Sequence, residues 1–336
     1  MEEVLIIERN ILNEECCSFL AKRGYNITKI DISKTPKYNA TSFWNKYLNI
    51  FFRIFLNDKN YHYQAEKKFY KRHQSKLIKQ FLKKNKKIYD KIIIIRPDYL
   101  DSKVIKQLAE ASKEMVGYFW DSISYQDAMY VSQSSFLFKN LFSYDQLEVE
   151  RYQFLNLKFI TNFYYPIEET LEKTIPKKLY YLGNITTERR DIILEKIISK
   201  IFHKDEYSWN IMFNNFPKRD YNFLTNEYIK YIQEFKDYHY NLLELMSAHT
   251  VFDINPSYNS GLSFRFFEAM YYQTKIITTN KNVKEYDFYN SNNILIYNDD
   301  TTQEQINAFL KLPFVKMNDS VIEKYRVDNW IKKIFS

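Results

Sequence analysis

Short apolar runs alternate with longer amphipathic stretches along the whole chain, and the two periods predict strands and helices in turn. A strand at 4–7 leads into a helix ending near Lys22, and Gly24 allows the turn to a second strand at 27–32. Two strongly patterned helices follow at about 42–57 and 61–85. The run Lys91-Ile-Ile-Ile-Ile-Arg-Pro is continuous rather than alternating, as a strand covered on both faces of a parallel sheet requires. A helix at 101–112, a strand at 115–121 and strand candidates at 141–143 and 157–160 complete this half. After Tyr165-Pro166 a polar connection runs to Pro176, and the alternation restarts. It reads strand 178–182, helix 187–202, strand 209–213, helices 222–235 and 240–248, strand 251–254, helix 262–272, and strands 275–279 and 293–297. Residues 321–335 read as a last helix with Trp330, Ile331 and Ile334 on one side.

Two successive βα sets imply an α/β chain of two doubly wound domains. The expected division is 1–165, carrying a helical insertion at about 38–88, then 166–318, then a C-terminal helix at 319–336 that packs back across the domains. The length of 336 residues suits two such cores.

Composition changes the picture chiefly by what it removes. Only 4 glycines stand against 30 Tyr and 27 Phe, and neither GxGxxG nor GxxxxGK[ST] occurs. NAD-dependent redox chemistry and P-loop ATPase activity therefore have no sequence support. Cys16 and Cys17 are adjacent on a predicted helix with no His or CxxC partner, which excludes a disulfide framework and argues against zinc. The N-terminus does not read as a signal peptide, and no run reaches the length of a transmembrane helix, so a cytoplasmic protein is expected.

Net charge is +8, yet residues 61–90 alone hold ten Lys or Arg against Glu66 and Asp90, leaving the remainder neutral. Just upstream, 43–56 reads FWNKYLNIFFRIFL, with Asn45, Lys46, Asn49 and Arg53 on one helical face and aromatics over the rest. An aromatic amphipathic helix beside a basic segment at 61–87 suits docking on an anionic membrane. A core-facing helix or an oligomer interface is the plainer alternative. Nucleic-acid binding by 61–90 is a second class, but the charge carries no recognisable motif and no nucleic-acid partner is expected.

The richest stretch is 251–298. A strand ends in Asn255-Pro256, a loop contains Ser260, Gly261 and Leu262, and a helix then carries Arg265 and Glu268 one turn apart. A βαβ unit of this kind presents backbone N–H groups and a helix N-terminus at the carboxyl edge of a parallel sheet. A cation beside a carboxylate there suits a ligand with phosphate at one end and a sugar hydroxyl at the other.

These residues carry a resemblance. The block Ser260-Gly-Leu-Ser-Phe-Arg-Phe-Phe-Glu-Ala-Met, with Lys275-Ile-Ile-Thr-Thr-Asn, Tyr286-Asp-Phe-Tyr-Asn and Asn293-Ile, resembles GT-B-fold glycosyltransferases, most closely those of bacterial lipopolysaccharide and capsule biosynthesis. Tyr118-Phe-Trp-Asp-Ser and Tyr181-Leu-Gly-Asn add to it. The resemblance implies two Rossmann-like domains facing a central cleft, a nucleotide-sugar donor held by the C-terminal domain, and a glycan or lipid-linked glycan acceptor on the N-terminal one. It implies that Glu268 contacts donor ribose hydroxyls and that Arg265 lies near the diphosphate, with Gly183, Asn184, Arg189 (or Arg190), Ser260, Gly261 and Leu262 around them. Thr278 and Thr279 end a strand where a donor phosphate or base would lie. Ser260 stands where such enzymes often have a second glutamate, and Asn184 where a basic residue often follows the glycine.

For a general base, Asp121 at the end of the 115–121 strand is the first candidate and Asp98 the second. Asp121 also suits capping of Ser122-Ile-Ser. His249 is a lone histidine without a metal-ligand partner at helical spacing. No Asp-x-Asp occurs, Asp299-Asp300 being nearest, so no metal and no cofactor are expected. A GT-B-fold sugar epimerase, or a non-catalytic binding subunit, would use the same donor pocket.

Overall fold

A computed structural model describes residues 1–9, 12, 14–33, 36, 38–39, 42–56, 61–185, 188–214, 223–234 and 236–336. The first twelve elements are β1 (Glu2–Glu8), α1 (Glu14–Ala21), β2 (Tyr25–Asp31), α2 (Phe43–Phe55), α3 (Tyr61–Lys84), β3 (Tyr89–Ile95), α4 (Ser102–Glu110), β4 (Ser112–Phe119), α5 (Tyr125–Ser132), β5 (Asn140–Ser143), α6 (Gln146–Arg151) and β6 (Leu157–Phe159). The rest are β7 (Lys177–Asn184), α7 (Arg190–Ser199), β8 (Tyr207–Asn214), β9 (Ile229–Ile232), α8 (Tyr238–Ser247), β10 (Thr250–Asp253), α9 (Phe264–Tyr271), β11 (Lys275–Thr278), β12 (Ile294–Ile296), α10 (Gln303–Lys311), α11 (Asp319–Glu323) and α12 (Val327–Phe335).

The chain forms two compact units, the first Met1–Tyr144 with Glu148–Ile160 and Phe335, the second Asp145–Leu147 with Thr161–Ile334 and Ser336. The first holds a six-stranded parallel sheet in the order β2-β1-β3-β4-β5-β6. Its direction of growth reverses between β1 and β3, and the crossover that makes the reversal carries α2 and α3. Ile92 and Ile94 join Leu5, Ile7 and Leu141 in one core, with Ile78 of α3 and Val104, Ile105 and Leu108 of α4 packed against them.

The second unit holds a parallel sheet in the order β12-β11-β10-β7-β8-β9. Counted from its own first strand this is the 3-2-1-4-5-6 order of a dinucleotide-type fold, with the reversal between β7 and β10. Successive strand residues point into different cores: Tyr180, Val251 and Ile276 into one, Leu179, Tyr181, Phe252 and Ile277 into the other. That two-sided burial is why these strands read as unbroken apolar runs.

Four expectations need correcting. Residues 229–232 are a strand rather than part of a helix at 222–235, whose ends at 222 and 235 lie outside the described residues. The segment Ile-Lys-Tyr-Ile pairs with β8 from Ile211↔Ile229 to Asn214↔Ile232, and its β-branched and aromatic side chains reach both cores, Ile229 and Tyr231 one and Ile232 the other. The helix at 262–272 begins at Phe264, because Ser263 takes the N-cap position and Leu262 is buried in the loop. The terminal helix is interrupted: the N–H of Val327 donates to Tyr164 O (2.9 Å) and that of Tyr164 to Tyr325 O (3.0 Å), so extended pairing separates α11 from α12. The strand at 115–121 runs from Ser112 to Phe119 and leaves Asp121 beyond its end. Helices α5, α6 and α10 had no counterpart in the sequence reading.

Among the described residues, five that are not glycine, Arg96, Asn156, Arg189, His203 and Gln273, adopt left-handed backbone, against one glycine, Gly24.

Candidate functional site

In an open parallel sheet the carboxyl ends of the strands flanking the reversal diverge, and ligands bind there. In the second unit β7 and β10 pair only at Thr250↔Leu179 and Val251↔Tyr180. Beyond Val251 the ladder stops, and Arg265, from the first turn of α9, bridges the two strands instead. Its guanidinium donates to Leu182 O on β7 (2.8 Å) and to Asp253 Oδ1 at the end of β10 (3.1 Å).

Asp253 organises this edge. Its Oδ1 also accepts from Ser263 Oγ (2.9 Å), and its Oδ2 from Thr278 Oγ1 at the end of β11 (3.1 Å). The carboxylate is almost wholly buried, a placement tolerable only with such a set of donors. Because the Ser263 hydroxyl goes to Asp253, the N-cap side chain of α9 makes no cap hydrogen bond. The first N–H groups of α9 are therefore not satisfied by a capping side chain.

Glu268 lies one turn on, 1 % exposed. Burial pushes its carboxyl up to about 7, against the opposing pull of the Tyr238 hydroxyl hydrogen-bonded to Oε1 and of the Arg265 charge. Near neutral pH it is thus poised between donor and acceptor.

The loop before α9 is ordered by asparagines rather than glycines. Asn280 Nδ2 donates to Gly261 O (3.0 Å) and Asn282 Nδ2 to Ser260 O (3.2 Å). Thr279 Oγ1 accepts from Asn255 N–H (2.8 Å), and Leu262 O from Asn162 Nδ2 (2.9 Å). Ser260 donates its N–H (3.0 Å) and its hydroxyl to Asp145. Gly183 is required by crowding: a Cβ there would lie 2.6 Å from Tyr181 Cζ. Asn184 follows it, exposed at the strand end. Arg189 is committed to Asp191 through two hydrogen bonds of 3.0 and 2.9 Å. Burial would raise the Asp191 carboxyl, but Arg189 and the Tyr231 hydroxyl (2.8 Å) hold it below the usual range.

Arg265, Glu268, Ser260, Gly261, Leu262 and Thr279 thus gather around α9 and the ends of β10 and β11, while Gly183 and Asn184 end β7. Among the described residues, the buried Arg265 Nε, Arg190 Nε and Asn214 Oδ1 at these carboxyl ends find no hydrogen-bond partner. Unsatisfied buried polar atoms are uncommon and call for a partner. Sequence reasoning marked Thr278 beside Thr279 but missed Asp253, Ser263 and Tyr238. Asp253 was findable, being a carboxylate interrupting an apolar strand ahead of Asn-Pro; Tyr238, thirty residues upstream of Glu268, left no signal.

The two base candidates sit in the first unit. Asp98 is fully buried and takes both guanidinium arms of Arg96 at 2.9 and 2.8 Å. The remaining Arg96 nitrogen donates to Ser122 O (3.2 Å), so this ion pair fixes the loop after β4. Asp121 is exposed on that loop and accepts the N–H of Ser122 at 2.9 Å. Glu148 holds the same loop from below, accepting from Ile123 N–H and Ser143 Oγ, each at 2.7 Å. His249 precedes β10 at the opposite, amino edge of the second sheet, and burial beside Lys177, Lys275 and Lys173 pushes it down to about 4. Cys16 and Cys17 form no disulfide among the described residues, and burial raises both thiols.

No protein-family profile matches the chain, and no characterised protein matches it in sequence. Solved structures do match in fold. A UDP-forming α,α-trehalose-phosphate synthase from Burkholderia xenovorans superposes with a TM-score of 0.55 at 9% identity, covering 100% of this chain and 98% of that one. An α-glucosyltransferase in complex with UDP gives 0.51 at 9% identity, covering 100% of both chains. The N-terminal domain of trehalose-6-phosphate phosphatase from Candida albicans gives 0.51 at 10% identity, covering 100% and 97%. At these identities the likeness is one of fold: the chain has the two-domain, Rossmann-like GT-B architecture.

Proposed function

We propose that this chain is a metal-independent glycosyltransferase of the hexosyltransferase kind. It would move a sugar from a nucleotide diphosphate-sugar to a bacterial surface glycan such as lipopolysaccharide or capsule, at the inner face of the cytoplasmic membrane. The observation that carries the reading is Arg265 at the reversal of the second sheet, with the N-terminus of α9, whose cap side chain is turned to Asp253, beside it and the buried Glu268 one turn away. Two of the fold neighbours handle UDP, which agrees with a nucleotide-sugar at this edge.

On this reading the bond from the anomeric carbon to the diphosphate oxygen breaks, and its electron pair leaves with the nucleoside diphosphate. Arg265 and the α9 N-terminus meet that charge, in the way fixed dipoles stabilise a leaving anion. Glu268 holds donor hydroxyls. The new bond forms to an acceptor oxygen whose proton passes to Asp121, the exposed carboxylate after β4; Asp98, tied to Arg96, serves to position that loop. Docking on the membrane would use α2 and the basic helix after it. No helix among the described residues is long and apolar enough to cross a membrane.

A thermal-shift screen against UDP, GDP, CMP and dTDP sugars tests the donor site. Stabilisation by one class is expected, and its loss in Glu268→Ala. A flat response to all of them would sink the proposal. Conversion of the donor to an epimer without any acceptor, read by NMR, would replace it with the epimerase reading.

A further inference from the structure

Between the N-terminal half of α3 and α5, the first unit holds a recess of about 530 Å³. α3 contributes Lys67, Lys68, Lys71 and Arg72, whose spacing sets four cations along one helical stripe. Lys67 is neutralised by an ion pair with Asp127, which also accepts from Ser124 Oγ at 2.7 Å. Among the described residues no carboxylate pairs with Lys68, Lys71 or Arg72. Lys71 lies 3.1 Å from the centre of the Tyr130 ring. Burial, helped by Lys67, pushes its ammonium down to about 8, although Asp98, Asp127 and Asp101 pull the other way. Asp101 lines the recess as well, so its lining holds four cations against the two carboxylates Asp101 and Asp127, an excess that an anion relieves.

The walls of the recess are fixed. The Tyr130 hydroxyl accepts from Ser102 N–H (3.2 Å), and the Gln64 amide donates to Gln126 (3.2 Å) across the opening. Both α3 and α5 pack on the Pro97–Tyr99 turn that ends β3. The recess therefore opens beside the carboxyl edge of the first sheet, where such sheets bind ligands.

The geometry points to an anion-binding site in this recess that takes the phosphate or diphosphate group of the acceptor. The site itself stands on the first unit alone; naming its occupant as the acceptor rests on the transferase reading. A concavity of this volume suits one phosphorylated sugar or one diphosphate head group, and not the flank of a polymer.

Inorganic pyrophosphate is the probe, read by calorimetry and by amide hydrogen exchange on the full chain. Wild type is expected to bind, with protection in residues 61–76 and 122–133. Affinity should fall by about tenfold in Lys68→Ala/Arg72→Ala, both exposed on the helix, and similarly in Lys71→Met. Lys79→Ala/Lys83→Ala, which removes the same charge further along α3, should stay within about twofold. Equal losses in the two double variants, or protection confined to residues beyond 161, would overturn the site. Glucose 1-phosphate in solution and farnesyl diphosphate in phosphatidylcholine vesicles separate the two sources of the group, and the one that shows the same dependence on Lys68 and Arg72 names it. Pyrophosphate binding that persists while every sugar nucleotide fails would keep the site and remove the transferase reading.

Discussion

Glu268 shows how one buried side chain couples folding to pH. Its folded carboxyl sits near 7 against an ordinary value of 4.5, so between those limits the native state holds a proton that the unfolded chain has lost. Stability attributable to this group is fully present below about pH 4.5 and is lost as pH rises through 7. Glu268→Gln keeps the acceptor for Tyr238 and removes the titration. It should match wild type at pH 4 and exceed it by on the order of 2–3 kcal/mol at pH 8, as urea unfolding at the two pH values would read. Parallel pH profiles for the two proteins would refute the assignment. At this scale the sequence was partly legible. It marked Arg265 and Glu268 as neighbours on α9, because helical spacing alone puts them there. It could not mark Asp253 as their organiser, since which donors converge on a strand end depends on where β11 and α9 fold back.

Among the elements, α2 stands apart. None of its thirteen residues is buried, and Phe43, Trp44 and Phe55 are 76, 70 and 72 % exposed. A helix with that apolar face spends nothing on its own unit's core, so replacing Phe43, Trp44 and Phe55 with Ser should leave thermal unfolding within about 0.5 kcal/mol of wild type. The same triple variant should lose flotation on phosphatidylglycerol vesicles. Flotation equal to wild type, or a large drop in stability, would assign the face to something other than lipid. Most elements were readable from their period, including both helices of this insertion. The failure at 229–232 has a physical cause: four residues are too few to separate the two periods, and pairing with β8 decided the outcome.

For the molecule as a whole, alternation of strand and helix was enough to announce two parallel sheets, but not their strand orders. Those follow from which crossover passes over the first strand, a choice made by α2 and α3 in one unit and by α8 in the other. The glycine count of 4 belongs to this scale as well. Each left-handed residue with a β-carbon carries a conformational penalty of roughly 1–2 kcal/mol that glycine avoids, offset in part by glycine's freer unfolded chain. His203 and Gln273 are exposed, and Gln273 ends α9 where the N–H of Thr274 closes back on Ala269 O at 2.7 Å. Gln273→Gly and His203→Gly should each raise stability by about 0.5–1 kcal/mol, measured by urea unfolding. A protein drawn from a lexicon poor in one letter thus leaves two spelling corrections open, and they offer thermostability before any catalytic residue is touched.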